Sequence, residues 1–482
     1  MSVGDDAWQV VVGLEVHVQL ATSSKLFSPA PNRYGDGANH NVDVVDVALP
    51  GTLPVVNAAA IDLALALGLA LGCTINRTSV FARKHYFYPD LPKGYQISQY
   101  DAPILTGGAV PVDGRSVPLT RIHLEEDAGK SLHDAGDDAS YLDYNRAGTP
   151  LLEVVSEPAL GSGDEAERYF RALRRLVMAL DVCDGNLQEG SMRADANVSV
   201  RRPGAPLGQR VELKNLNSPR FLAMAVAHEA TRQITELEAG RAITQETRLW
   251  DAERRESRVM RTKEDAEDYR YLDDPDLPPL VVTDEQIARV RAALPELPDA
   301  KRDRYVRDLG LSTEDAAVLT SERAIAELFE GALRVHDNAK ALANWVKNEV
   351  LAALNARGQE SGAVAQLITP GALGALVKLV DEGAISGKVA KDVFAELAAG
   401  RGDDPARIVD AKGWRLQRDD GAVARAVAEV IAANPGEWQK LLGGKDKLLG
   451  FFVGQVMKRC GGTADPKVVA QLVQQALLKE RG

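Results

Sequence analysis

The chain has 482 residues, 45% of them hydrophobic and 26% charged, with a formal net charge of -12. These proportions exclude disordered, collagenous and mucin-like classes, and the length calls for more than one hydrophobic core. The acidity excludes indiscriminate nucleic-acid binding but leaves room for a local basic surface.

The first residues, MSVGDDAWQVVVGLEV, carry aspartates where a secretion signal needs basic side chains, so a cytoplasmic protein is expected. From Val10 to Leu20 the even positions are all apolar, while Glu15, His17 and Gln19 share the other parity. Alternate side chains of a strand leave opposite faces, so one face is core and the other polar. The apolar run Ala58 to Cys73 is short for a bilayer span and contains Asp62, which predicts a buried helix and no membrane association. Arg83 to Pro89 interleaves cations with rings, a pattern suited to stacking on an unpaired base. Tyr86 and Tyr88 are the candidates for that contact with Lys93 in the neighbouring loop, and Phe87 is expected to point inward.

The strand pattern returns four more times. Ile122 and Leu124 alternate with Arg121, His123 and Glu125; Glu153 and Glu157 share one parity of Leu151–Glu157; and Arg193, Asp195, Asn197, Ser199 and Arg201 oppose an apolar face in Met192–Arg201. In Arg210–Lys214, Arg210, Glu212 and Lys214 oppose Val211 and Leu213. A solvated face is the simpler account of any one strand. Together the polar faces are rich in Glu, Asp, Asn, His and Arg and poor in the Lys and Thr of ordinary exposed strands, which points to a site. Clustered carboxylates repel unless cations sit between them, so Mg²⁺ is the natural occupant. Mg²⁺ usually bridges carboxylates to substrate phosphates, which suggests ATP, with Arg193, Arg210, Lys130 and Lys214 meeting phosphate oxygens. His17 is either a structural strand histidine, a ligand, or the partner of a metal-bound water. Gly129-Lys130-Ser131 mimics the end of a phosphate loop, but Leu124 stands where its first glycine belongs.

Proline punctuation at Leu277-Pro278-Pro279, Pro295 and Pro298 separates this part from an Ala/Leu/Glu-rich helical remainder. The expected domains are 1–295, 296–405 and 406–482, with Gly400–Pro405 as linker. The last of them is basic: Lys440, Lys445, Lys447, Lys458, Arg459, Lys467, Lys479 and Arg481 outnumber Glu437, Asp446, Asp465 and Glu480. Either a nucleic-acid contact or a solvated helix face accounts for that charge. Cys73, Cys183 and Cys460 are odd in number and far apart, which predicts core thiols rather than disulfides or a cysteine zinc site.

Ordered runs such as VVGLEVHVQLATSSKLFSP, KHYFYPDLPKGYQISQYDAPI, IHLEEDAGKSLHD, DYNRAGTPLLEVVSEP, EGSMRADANVSVR, VELKNLNS, DYRYLDDPDLPPL and FFVGQVMKRCGGTADP resemble the B-subunit family of aspartyl/glutamyl-tRNA amidotransferases. The resemblance implies an α+β fold: a cradle-shaped N-terminal domain with an antiparallel, glutamine-synthetase-like sheet, an all-α connector and a small helical tail that touches tRNA. It implies an ATP-dependent ligase that phosphorylates the side-chain carboxylate of Glu or Asp misacylated on tRNA(Gln) or tRNA(Asn), ammonia then displacing the phosphate. Glu15, His17, Glu125 and Glu153 fall where the family binds Mg²⁺, with Glu126, Glu157, Asp195 and Glu212 as second candidates. Arg193 and Lys214 are expected beside them, and Lys130, Asp195, Asn197 and Glu212 around the nucleotide. Lys445, Lys447, Lys458 and Arg459 are the expected contacts to tRNA phosphates. No zinc is expected, because Asn32–Ala48 lacks the paired cysteines many relatives carry. No amidase signature is present, so ammonia must come from partners, which the resemblance names as the amidase (A) subunit and the small (C) subunit of the amidotransferase. The rival readings are a non-catalytic tRNA-binding scaffold and a ligase acting on a free small molecule.

Overall fold

Seven strands carry the architecture in the computed structural model: β1 (Gln9–Gln19), β2 (Arg115–Glu126), β3 (Pro150–Ser156), β4 (Met192–Arg201), β5 (Val211–Leu216), β6 (Glu246–Asp251) and β7 (Glu256–Thr262). The structure describes residues 8–132, 139–262, 269–359, 361–416, 420–460, 464 and 466–481. The strands belong to one ten-stranded sheet in the order β7-β6-β5-β4-β1-β3-β2, extended beyond β2 by short strands. β1 lies near its centre, and its alternation is the cause: Val12, Val16 and Val18 are fully buried, while Glu15 and His17 sit on the other face.

Neighbours in this path are antiparallel except β5 and β6, which run parallel with Glu212 opposite Thr247. The expected antiparallel sheet is therefore a mixed one. The reason is the connection between them, because a parallel pair needs a crossover and here a twenty-residue helix supplies it.

The three longest described helices of this part of the chain are α1 (Ala58–Ala70), α2 (Gly163–Ala179) and α3 (Pro219–Glu238). Each starts at a side-chain cap. Asn57 accepts from Ala59 N, Ser162 from Glu165 N and Ser218 from Phe221 N, satisfying amides that a helix start leaves open. Tyr169, Phe170, Leu173, Leu176 and Val177 recur at helical spacing on α2 and are buried with Leu14, Val16, Ala196 and Val198 of the sheet. The apolar face of the sheet is thus committed to helices, and its polar face is left for other work.

The chain divides into two units, Met1–Pro298 and Asp299–Gly482. Apolar side chains of the second gather in two clusters, one running from Tyr305 to Val409 and one from Val423 to Leu477. The expected linker Gly400–Pro405 joins two helices of the first cluster, Gly387–Ala398 and Pro405–Lys412, because Ile408 and Val409 are buried in that same core. In the last cluster Leu449–Arg459 and Pro466–Arg481 pair through Phe452, Val456, Val469 and Val473. The expected stop at Gly461-Gly462 and cap at Asp465 lie outside the described residues.

Of the cysteines only Cys183 is a core thiol; Cys73 and Cys460 are partly exposed, which corrects the expectation for those two. No described helix is long and apolar enough to cross a membrane.

Candidate functional site

Directly opposed residues of an antiparallel pair share a face, so strand register alone assembles the polar side chains. His17 on β1 is flanked by Arg193 on β4 and Glu153 on β3, and Glu153 is in turn opposite His123 on β2. One step along, Glu15 opposes Asp195, and Asn197 opposes Glu212 on β5. Glu125 follows His123 at the next position on the same side of β2. The acidic residues of five strands converge as parity predicted.

Within this patch His17, Glu125 and Glu153 each present a ligand atom, and the three atoms lie within 4.8 Å of one another. His17 Nδ1 stands 3.3 Å from Glu125 Oε1, and His123 Nε2 stands 3.6 Å from Glu125 Oε2 and 3.7 Å from Glu153 Oε2. His17 Nδ1 nevertheless has no aligned hydrogen-bond partner although it is buried, which leaves a lone pair or a proton aimed into the cluster. Around the rim, Arg193 forks onto both carboxylate oxygens of Asp127 at 3.1 Å. Lys214 Nζ lies 2.5 Å from Asp195 and 2.9 Å from Glu212, and Asn197 donates to Glu15 Oε1 at 3.0 Å.

The electrostatics of the patch are set by burial and by the carboxylates' effect on one another. Burial pushes the Glu15 carboxyl above its ordinary pKa, and Glu153, Glu212 and Asp195 push the same way against Lys214. Burial also opposes ionisation of Glu125, but contacts from His123 and His17 outweigh it and hold its carboxyl well below the usual range. Burial disfavours the imidazolium of His17, yet the Glu125 contact raises its pKa overall. Negative charge is in excess here, and a divalent ion among these oxygens would relieve it.

Other expected residues fall elsewhere. Glu126 points away from the patch, where it binds Lys93 and the Ile97 amide at 2.9 Å. Lys93 is thereby half-buried and engaged by that carboxylate. Glu157 follows a register slip at Val155/Ser156 and accepts from Thr120 Oγ1 at 2.8 Å. Lys130 is exposed on a separate hairpin, Lys130–Leu132 with Tyr141–Asp143, and Arg210 is exposed just before β5. Phe87 is 86% exposed, which overturns its expected inward orientation. The strand there ends at His85, so alternation no longer governs the residues that follow.

Tyr86 is the ring that faces the acids: burial, then Glu125, Asp127 and Glu126, push its phenol pKa up. Tyr88 packs beside it at 5.9 Å between centroids and is half-exposed. Tyr271 shares one of these carboxylates, its pKa raised by burial and then by Glu125 and Glu153, and it stacks on Tyr100 at 3.9 Å. In the tail Lys445, Lys447, Lys458 and Arg459 are all exposed, and Arg459 is engaged by Glu429 at 2.5 Å.

His123, Asp127 and Tyr271 belong to the site and were not singled out from the sequence. His123 carried a usable signal, standing between Arg121 and Glu125 on their parity. Asp127 lies just past β2, where parity lapses, and Tyr271 is brought in by a long-range pairing of Leu272 with Arg83.

Residues 10–288 match the family model described as the GatB/GatE catalytic domain, and residues 327–477 match the GatB domain. Proteins named as the B subunit of aspartyl/glutamyl-tRNA(Asn/Gln) amidotransferase are similar along nearly the whole chain. The one from Sinorhizobium fredii is 50% identical over 480 residues, covering 98% of this chain and 95% of that protein. Those from Alkalilimnicola ehrlichii and Anaeromyxobacter sp. are each 51% identical, over 98% of this chain and 99% of theirs.

Proposed function

We propose that this chain, which belongs to the family of aspartyl/glutamyl-tRNA(Asn/Gln) amidotransferase B subunits, activates the side-chain carboxylate of a tRNA-bound Glu or Asp with ATP on the acidic face of its sheet. A carboxylate resists amines until it carries a better leaving group. Phosphorylation supplies one, and ammonia displaces the phosphate to leave the amide. Ammonia comes from the amidase (A) subunit, braced by the small (C) subunit, and the complex works in the cytoplasm on Glu-tRNA(Gln), Asp-tRNA(Asn) or both.

The observation that carries this reading is the convergence of His17, Glu125 and Glu153 to within 4.8 Å on one face. Two carboxylates and an imidazole, with Glu15 close by and negative charge in excess, fit a hard divalent ion, and these residues would hold Mg²⁺. When bound, that ion offsets charge between the carboxylates and a nucleotide's phosphates. The chain's own part is positional. Asp127 fixes the guanidinium of Arg193 and Asp195 fixes the ammonium of Lys214, so both cations stand beside the cluster in set orientations. Tyr86 and Tyr271 stand near its carboxylates on the aromatic side. In this reading the N-terminal unit is a glutamine-synthetase-like cradle, the cluster from Tyr305 to Val409 a connector and that from Val423 to Leu477 the tRNA-binding tail; no zinc is required.

With its partner subunits, the protein should consume ATP in a manner stimulated by misacylated tRNA. Glu15→Gln should abolish amidation and leave tRNA affinity unchanged, and full activity in that variant overturns the assigned role. Absence of any Mg²⁺- or ATP-dependent protection of the N-terminal unit would favour the non-catalytic scaffold instead. Turnover of free glutamate without tRNA would favour the stand-alone ligase.

A further inference from the structure

Of the four cations expected to meet phosphate, Lys130 and Arg210 lie exposed elsewhere and the other two are already matched. Arg193 is held by Asp127, and Lys214 by Asp195 and Glu212. Arg121 stands differently. Among the described residues none accepts a hydrogen bond from it or pairs with its charge, and its Nε is buried without a partner. It belongs to β2, opposite Val155 of β3, which is itself opposite Glu15 of β1. It also precedes His123 by one step on the polar side.

The local backbone explains how it gets there. Leu119 and Ile122 are both in the core, so the alternation of β2 slips between them, and the slip coincides with the register shift opposite Val155/Ser156. Such a bulge re-aims side chains, and bulges concentrate next to active sites. It places Thr120 and Arg121 together away from the core. Thr120 then donates to Glu157, which leaves that carboxylate engaged. A half-buried guanidinium whose Nε is shut away from water with no acceptor is unfavourable for the folded chain alone. The imbalance is resolved by a ligand that brings oxyanions, and a planar fork matches phosphate better than a point charge does.

We infer that Arg121 is a phosphate-receiving residue of this site, donating to oxygens of the nucleotide. The inference rests on the ATP reading above and adds to it the cation that contacts the phosphate directly.

The test compares the full-length wild type with Arg121→Gln and Arg121→Lys in equilibrium binding of ATP with Mg²⁺. Arg121→Gln should weaken ATP by at least about tenfold, with Arg121→Lys between it and wild type. Its melting temperature should not fall below that of wild type, because no native bond is lost. A wild type that binds no ATP sinks the nucleotide reading itself. A wild type that binds while Arg121→Gln binds equally well overturns only the role of Arg121. Unchanged ATP affinity with weakened, less salt-dependent tRNA binding reassigns the arginine to a tRNA phosphate and also overturns it. If the variants unfold, wild-type protein answers: ATP should slow modification of Arg121 by phenylglyoxal, mapped by mass spectrometry, and no protection refutes the inference.

Discussion

The polar face of the sheet and the helical tail both carry ionised side chains, but they hold them in opposite ways. On the sheet the charges are largely withdrawn from water and tied to one another: Glu125 and Asp127 are nearly inaccessible, and Arg193 and Lys214 are each bound to carboxylates. In the tail Lys445, Lys447 and Lys458 stand in solvent. The same charge is worth several kcal/mol in the first setting and a fraction of one in the second, because solvent screens what burial does not. A count of charges along the sequence therefore says little until burial is known.

The strongest way to break this contrast is to change a single charge on the sheet. Glu125→Gln keeps the shape of the side chain but removes the anion that His17 and His123 both address. Amidation by the assembled enzyme should fall by at least about 100-fold, with tRNA affinity unaltered. Steady-state turnover of misacylated tRNA measures it, and near-normal turnover would mean that the buried cluster is structural.

A second break tests burial without chemistry. Lys25 is wholly buried, its ammonium 3.0 Å from Asp46 and 3.3 Å from the Tyr144 carbonyl. Burial is the main influence and lowers its pKa, with Asp46 opposing. Lys25→Met strands the Asp46 carboxylate in the core, and the N-terminal unit should lose about 3–5 kcal/mol in denaturant unfolding. Adding Asp46→Leu should recover most of that loss, because the penalty lies in the unpaired charge rather than in the missing bond. A double variant as unstable as the single one would contradict this.

How much of this was legible beforehand follows from the period of a strand. Glu15, His17, Glu125 and Glu153 were readable because alternation is local, and antiparallel register then carries each parity onto its neighbour. Reading failed where alternation stops. Phe87 lies past the end of its strand, and Asp127 lies past the end of β2. The slip that frees Arg121 from a partner is visible only once the strand is paired. Partners escaped for a different reason. That Lys93 is engaged by Glu126, or Arg193 by Asp127, depends on contacts 33 and 66 residues apart, which no local pattern encodes. The helical crossover that turns β5 and β6 parallel is likewise a matter of topology.

The tail should yield the smallest effects, and their form is more telling than their size. Lys445, Lys447 and Lys458 are exposed, so replacing any one by Ala should leave folding unchanged and weaken tRNA binding only a few-fold at moderate salt. Each phosphate contact releases counterions on binding, so each lost lysine should flatten the dependence of log affinity on log salt by about 0.7–0.9. The triple variant should flatten it by about 2 to 3. Arg459 provides the internal control. Its guanidinium is already engaged by Glu429, so Arg459→Ala should change the slope less than any of the lysines. Filter binding across a salt series measures each variant against wild type. Equal slopes throughout would make the tail a solvated surface after all, and would leave the acidic sheet as the one place among the described residues where charge is set out for a ligand.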